Sequence, residues 1–221
     1  AVVHIGRTMK DVSDFQDLQR WNEIAISERP PIRLAVIGDP IAHSRSPQMQ
    51  NAALAACKID AAYTRLHIRE AELADALSQL VKNDFIGANL TIPHKAAALT
   101  AMSEVDDHAR KIGAVNTVVV DGEKLLGFNT DGPGIVRAIR AEVGLDLRDL
   151  RVMILGAGGG AGRAIAVQCG IEGCERLVLV NRTFEKAKTL AGELAPYFKS
   201  TRLIGPAPMP TVWPFPSAKR A

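Results

Sequence analysis

Arg151-Val152-Met153-Ile154-Leu155-Gly156-Ala157-Gly158-Gly159-Gly160-Ala161-Gly162 is the stretch on which the fold turns. A short apolar run closed by glycine reads as a buried strand. Arg163 to Cys169, which follows, reads as a helix. Gly156, Gly158 and Ala161 fill the three slots of the strand–Gly-x-Gly-x-x-(Gly/Ala)–helix fingerprint. Without bulky side chains, the backbone of Gly156, Ala157, Gly158, Gly159, Gly160 and Ala161 can turn tightly and approach a pyrophosphate. The helix N-terminus then faces the negative charge. A glycine turn that holds nothing is the plain alternative, and the strand before it and the helix after it speak against that.

The next apolar run, Leu177 to Val180, ends at Asn181-Arg182-Thr183. A unit that binds NAD usually places Asp or Glu about 20 residues past the glycines, on the ribose 2′-hydroxyl. Here Asn181 and Arg182 stand in that place, with Lys186 one helical turn further on. An acid repels a 2′-phosphate, whereas an arginine pairs with it through charge-assisted hydrogen bonds. The cofactor expected from these residues is NADP.

Upstream, strands and helices alternate as well, which predicts an α/β fold with a mostly parallel sheet. Leu34 to Gly38 is a strand running into a loop with Ser44 and Ser46; Ser46 suits a helix N-cap before Pro47, and Ser44 has no such structural role. Phe85 to Ala88 is a strand leading into Asn89-Leu90-Thr91-Ile92-Pro93-His94-Lys95. Pro93 has no N–H to donate and ends the ladder. Gly113 to Val120 is a strand carrying Asn116, a partly buried amide that needs partners. Asp121-Gly122 signals a hairpin, and the return strand ends in Asn129-Thr130-Asp131-Gly132. Helices are expected over Val12–Ile26, capped by Asp11 or Ser13, over Glu70–Val81, and over Glu104–Lys111. Polar groups thus collect at strand ends, where open α/β sheets place their ligands. An amide, a hydroxyl and an ammonium at Asn89, Thr91 and Lys95 suit a small polyhydroxylated acid.

The expected organisation is an N-terminal extension or linker (1–31), a substrate-binding α/β domain (32–131), a partial Rossmann-type NADP-binding domain (132–202) and a proline-rich tail (203–221). A formal net charge of +3 over 221 residues is too small to argue for nucleic acid. The three cysteines are odd in number and form no Cys-x-x-Cys pair. A disulfide framework or zinc site is therefore not expected, and a reducing cytoplasm is. The five histidines show no ligand spacing, so no metal is expected. No apolar run reaches the ~18 residues of a membrane span, and the start shows no signal peptide. It also shows no initiator Met, which suits a processed or excised chain.

Taken together, Gly38 to Pro47, Asn89 to Lys95, Gly113 to Thr117, Asn129 to Gly132, the glycine loop and Asn181-Arg182-Thr183 stand in the order seen in shikimate dehydrogenases. The resemblance runs from about Ile32 to about Leu194. It implies two α/β domains with the active site in the groove between them, and NADPH-dependent reduction of 3-dehydroshikimate in aromatic amino-acid biosynthesis. It further implies substrate contacts at Ser44, Ser46, Thr91 and Asn116, with Lys95 and Asp131 as the catalytic pair. An ammonium at Lys95 can stabilise and protonate the oxygen of the reacting ketone, with Asp131 holding it in place. Gln50 departs from the family, many members having His there. So does the C-terminus: the family's later strands, an Asn-Ala-Thr-Ser-like stretch and a last helix bearing a substrate-binding Gln are not found. The cofactor domain is accordingly expected to be about half present and hydride transfer by this chain weak or absent. The expected sheet has two strands after the fingerprint begins, with an open edge near 177–204. Two other functions stay open: a quinate/shikimate dehydrogenase using NAD, and a non-catalytic ligand-binding fragment. A homodimer stays open as an assembly.

Overall fold

Leu18 and Trp21 precede the first long strand, and they are packed as tightly as anything within it. The computed structural model describes residues 11–25, 27–197 and 201–203. Within them the chain opens with β1 (Ser13–Asp14), α1 (Phe15–Gln19) and α2 (Trp21–Ile24). The single helix expected over Val12–Ile26 is therefore broken in two and preceded by a short strand; Ile26 lies outside the described residues. Its cap is Asp14, not Asp11 or Ser13: the Asp14 carboxylate accepts the Asp17 N–H at 3.0 Å and Asp17 returns the bond at 3.1 Å. Leu18 and Trp21 are buried, and the Trp21 ring centroid lies 5.3 Å from that of Phe85. Leu18 and Trp21 thus join the first unit's core from ahead of Ile32, where the substrate-binding domain was expected to begin.

The first unit continues through β2 (Ile32–Gly38), α3 (Ser46–Ala56), β3 (Ala62–His67), α4 (Leu73–Lys82), β4 (Gly87–Leu90), α5 (His94–Ala97), β5 (Glu104–Val105), α6 (Asp107–Ile112), β6 (Thr117–Asp121) and β7 (Lys124–Phe128). The helix expected over Glu104–Lys111 is shorter. Glu104–Val105 pairs with β7 instead, and Asp106 then caps α6 by accepting the His108 and Ala109 N–H groups. Gly113, at φ 72°, supplies the left-handed residue that ends α6. Gly122, at φ 58°, does the same for the β6–β7 hairpin.

The sheet runs β1-β3-β2-β4-β6-β7-β5. The pairs β1–β3, β3–β2, β2–β4 and β5–β7 are parallel; β4–β6 and β6–β7 are antiparallel. The sheet is thus mostly parallel, as expected, with β6 reversed by the hairpin. Side chains alternate across it. Ala35, Ile37 and Leu66 face a core with Leu18, Trp21, Leu73, Leu77 and Leu80 of α1, α2 and α4. Val36 and Tyr63 face a second cluster with Ile41 and Leu54, on the side of α3.

The second unit spans Gly132 onward. It contains the body of α7 (Asp131–Val143), then β8 (Arg151–Leu155), α8 (Gly160–Glu172), β9 (Arg176–Val180), α9 (Phe184–Leu194) and β10 (Thr201–Leu203). Its strands are parallel in the order β10-β9-β8, the 3-2-1 order of the first half of a dinucleotide fold. A third strand therefore covers the β9 edge, where two strands and an open edge were expected. Leu177, Leu179, Ala164, Val167, Leu190 and Leu194 form its interior, while Met153 and Leu155 of β8 are 60% and 64% exposed. The proline-rich tail from Ile204 lies outside the described residues.

Candidate active site

Three strand ends meet where the polar residues lie. β2 and β4 are parallel, and Val36 pairs with Asn89. β6 is antiparallel to β4, so its first residue, Thr117, pairs with Asn89; β7 returns, so its last residue, Phe128, pairs with Thr117. This register puts Asn89, Asn116 and Asn129-Thr130-Asp131 at one end of the strands, beside the loop after Gly38. Backbone bonds fasten the segments: Thr91 N–H to the Ile37 carbonyl at 2.9 Å, Asp39 N–H to Ile92 at 3.0 Å, Leu90 N–H to Asn116 at 2.8 Å, and Val115 N–H to Lys95 at 2.7 Å. A Cβ on Gly38 would lie 2.5 Å from the Thr91 methyl group, so only glycine lets the two strand ends approach this closely.

Lys95 and Asp131 face one another. The Lys95 Nζ donates to Asp131 Oδ2 at 2.7 Å, with the two side chains 17% and 27% exposed. An ammonium has three donors, so two protons are uncommitted to any described residue. Asp131 is held from behind. Asn116 Nδ2 donates to its Oδ1 at 2.7 Å and to Thr130 Oγ1 at 3.1 Å. Asn116 Oδ1 accepts the Thr130 N–H and the Thr117 hydroxyl, both at 2.9 Å. Asn129 accepts the Asp131 N–H at 3.0 Å. Both amide donors of the Asn116 side chain are therefore used inside the protein, which gives this 7%-exposed residue a bracing role.

The network runs on. Asn89 donates to Thr117 Oγ1 at 3.2 Å and accepts from the Tyr63 hydroxyl at 2.7 Å. Burial pushes the Tyr63 phenol well above the usual tyrosine range. His94, fully buried beside Lys95, has Nε2 2.8 Å from the Ile68 carbonyl and so carries its proton there. None of Tyr63, Thr117, Asn129 or Thr130 stood among the expected site residues. Asn129 and Thr130 adjoin Asp131 in sequence, but Tyr63 and Thr117 are placed only by strand register.

In the serine loop the cap differs from expectation. Ser46 is the first residue of α3, and Ser44 does the capping: its Oγ accepts the Ser46 N–H at 3.2 Å and donates to Ser46 Oγ at 3.2 Å. The two hydroxyls are thus adjacent. The Thr91 hydroxyl has no partner among the described residues, and His43 is exposed.

In the second unit, Gly156 sits at φ 85° and its N–H reaches the Val180 carbonyl at 2.8 Å. A Cβ on Gly158 would lie 2.8 Å from Asn181 Nδ2 and from Lys186 Cβ. A Cβ on Gly162 would lie 2.5 Å from the Gly156 carbonyl, so Gly162, not Ala161, is the residue at which the helix packs closely on the loop. Asn181 accepts the Gly158 N–H at 3.1 Å and donates to the Thr183 carbonyl at 2.8 Å, so its side chain braces the loop. Arg182, Thr183 and Lys186 are exposed. Neither cation has an ion pair among the described residues. A cavity of about 310 Å³ lies between the loop and α9, lined by Ala157, Gly158, Arg163, Glu185 and Lys186.

A mostly parallel sheet carrying a braced Lys–Asp pair, in a chain that also holds the first half of a dinucleotide fold, defines an α/β protein with a Rossmann-type second unit. The family model "Shikimate dehydrogenase substrate binding domain" matches residues 36–118, and "Shikimate / quinate 5-dehydrogenase" matches 138–204. The chain belongs to the shikimate dehydrogenase family. It is 46% identical over 162 residues to the shikimate dehydrogenase (NADP(+)) of Moorella thermoacetica, covering 73% of this chain and 54% of that protein. It is 43% identical over 156 residues to that of Geobacillus sp. (strain WCH70), covering 71% and 56%. The crystal structure of shikimate 5-dehydrogenase from Thermus thermophilus in complex with NADP(H) and shikimate superposes with a TM-score of 0.70 at 38% identity, covering 78% of this chain and 62% of that one. The chain thus spans about half the length of the curated relatives it matches.

Proposed function

We propose that this chain forms the substrate site and the phosphate-holding half of the cofactor site of an NADP-dependent shikimate dehydrogenase. The reaction is the reversible reduction of 3-dehydroshikimate to shikimate, on the path to chorismate and the aromatic amino acids. The observation that carries this reading is the Lys95–Asp131 contact at 2.7 Å, held by Asn116 and leaving two ammonium protons for a ligand. Lys95 donates a proton to the reacting oxygen as negative charge grows there, and Asp131 fixes the direction of the ammonium. Asn116 acts through Asp131 as a positioning residue. Ser44 and Ser46 take the substrate carboxylate with their adjacent hydroxyls, and Thr91 offers its hydroxyl to the ring.

The second unit's residues fit NADP. The glycine loop closes only without side chains at 158 and 162, and α8 begins at Gly160 with no acidic residue in its first turn. The Gly156–Ala161 backbone would hold the pyrophosphate, with Arg182, Thr183 and Lys186 at the 2′-phosphate and Asn181 bracing the loop. When bound, NADPH supplies the hydride. The absence of an acid at 181–183 disfavours NAD, and with it a quinate dehydrogenase using NAD. No helix among the described residues is long and apolar enough to cross a membrane. A cytoplasmic location and a homodimer belong to the same proposal.

The test is shikimate-dependent reduction of NADP against NAD by this chain, with quinate as the competing polyol and equilibrium binding of shikimate measured alongside. Shikimate binding with a preference for NADP is the expected result. No binding of shikimate together with no shikimate-dependent turnover would overturn the reading.

A further inference from the structure

A charged side chain in the middle of a strand needs a reason, and Arg65 stands in the middle of β3. Its neighbours in register place it on the sheet face that α3 covers: Val36 pairs with Arg65, as Leu34 pairs with Tyr63. The side chain is 5% exposed. Two of its donors go to one carbonyl of the serine loop. Nε and Nη2 both donate to the Ser44 carbonyl, at 2.9 and 2.6 Å, and Nη2 also reaches Gln48 Oε1 in the first turn of α3 at 3.1 Å. Nη1 donates to Asp11 Oδ1 at 2.7 Å, and the Asp11 carboxylate is itself 84% exposed. The guanidinium is therefore neutralised from the solvent side while its fork is aimed inward.

We propose that Arg65 is the positioning residue of the serine loop, holding Ser44 and Ser46 at the spacing that receives a ligand carboxylate. Two donors on one carbonyl fix the Ser44 peptide, since rotating it would strand both N–H groups away from water. With that peptide fixed, Ser44 Oγ stays 3.2 Å from both the Ser46 N–H and the Ser46 hydroxyl. Arg65 itself has no role in binding the anion: its donors are already paired, so its effect on a ligand passes through Ser44. The inference rests on the reading that the serine hydroxyls take the substrate carboxylate, and adds what holds them.

Arg65→Met keeps length without charge, and Arg65→Lys keeps charge without the fork. Each is made in the full 221-residue chain. Two measurements separate positioning from simple structural support. The first is native-state hydrogen exchange, with the Ser44 and Ser46 amides compared with those of Leu66 and Leu90 in the sheet. The second is equilibrium affinity for shikimate and for its uncharged methyl ester. Both variants are expected to exchange the two serine amides faster while the sheet amides keep their protection. Shikimate affinity is expected to fall about tenfold or more, the effect of losing a hydrogen bond to a charged group, while ester affinity stays unchanged. Serine amides that exchange as in the parent chain, or a shikimate-to-ester ratio unchanged in both variants, would overturn the proposal. If the parent chain binds shikimate and ester alike, the carboxylate reading fails and takes the ligand half of this inference with it. The exchange measurement still judges whether Arg65 holds the loop.

Discussion

Replacing Asn116 by alanine asks whether the Lys95–Asp131 pair is held by hydrogen bonds or only by packing. The substitution removes the 2.7 Å bond to Asp131 Oδ1 and the acceptor of the Thr130 N–H and Thr117 hydroxyl, both at 2.9 Å. The bond to a carboxylate contributes about 1.5–3 kcal/mol. Thr130 is exposed, so water can reach its amide once Asn116 is gone, and the two orphaned donors together cost only about 1 kcal/mol. The sum is about 2.5–4 kcal/mol. With a urea m value of about 2 kcal/mol per M, the midpoint should move down by about 1–2 M. The assay is urea unfolding followed by tryptophan fluorescence in a Trp213→Phe background, which leaves Trp21, 3% exposed in the first unit's core, as the only tryptophan. A midpoint shift below about 0.3 M would refute the reasoning, because it would mean that these bonds contribute almost nothing net. Asn116→Asp keeps the shape but sets a second carboxylate against Asp131. One of the two must then take up a proton with a pKa raised in the folded state. Folded protein binds more protons than unfolded in that window, so this variant's deficit should shrink as pH falls from about 8 toward about 4, the unfolded carboxylate value.

In a form of the chain with measurable turnover, Lys95→Ala should lower kcat for NADPH-dependent reduction of 3-dehydroshikimate on the order of 10³-fold or more, with a smaller change in KM, and Asp131→Asn should do similar damage. Near-parental turnover in Lys95→Ala would remove Lys95 from the chemistry. Arg182→Ala should weaken NADP binding by about 1.5–3 kcal/mol in calorimetry and leave NAD almost unchanged; equal losses for both would assign Arg182 to the fold. Burial holds the Tyr63 phenol protonated beyond the usual range, so unfolded chain releases that proton first and stability should fall as pH rises above about 10. Comparing urea midpoints at about pH 9 and about pH 11, on either side of the unfolded tyrosine value, Tyr63→Phe should flatten that fall. An identical slope in both proteins would argue against it.

Several elements were legible because their signals are local. The strand at Arg151–Leu155, the glycine loop and the α8 helix follow from neighbouring residues, as does the hairpin at Asp121-Gly122. The first helix departs from its local signal for a non-local reason. Ser13 and Asp14 look helical beside Phe15 and Leu18, but Leu66 and His67 offer them a strand edge, so the helix begins at Phe15 with Asp14 as cap. The same holds at Glu104–Val105, which pairs with Leu126–Gly127. At Ser44 the hydroxyl proved to be the cap, because it can bond an N–H two residues on as easily as the N-cap position can.

The order of the motifs settles which chemical groups stand at the ends of the strands: Lys95, Asp131, the paired serines, the glycine loop and Arg182 are all readable as residue types followed by helices. What the sequence does not contain is how each group's hydrogen-bonding capacity is divided. Asn116 and Asn181 read as ligand contacts, and in the fold the first also donates to Asp131 and Thr130 while the second accepts from Gly158 and donates to Thr183. Tyr63, Asn89 and Thr117 join through the registers of three strands, and Arg65 reaches Ser44 from twenty-one residues further along the chain. Strand pairing is a property of segments distant in sequence. Only the folded chain decides which polar groups are consumed in holding the site and which, like the two spare protons of Lys95, remain for a ligand.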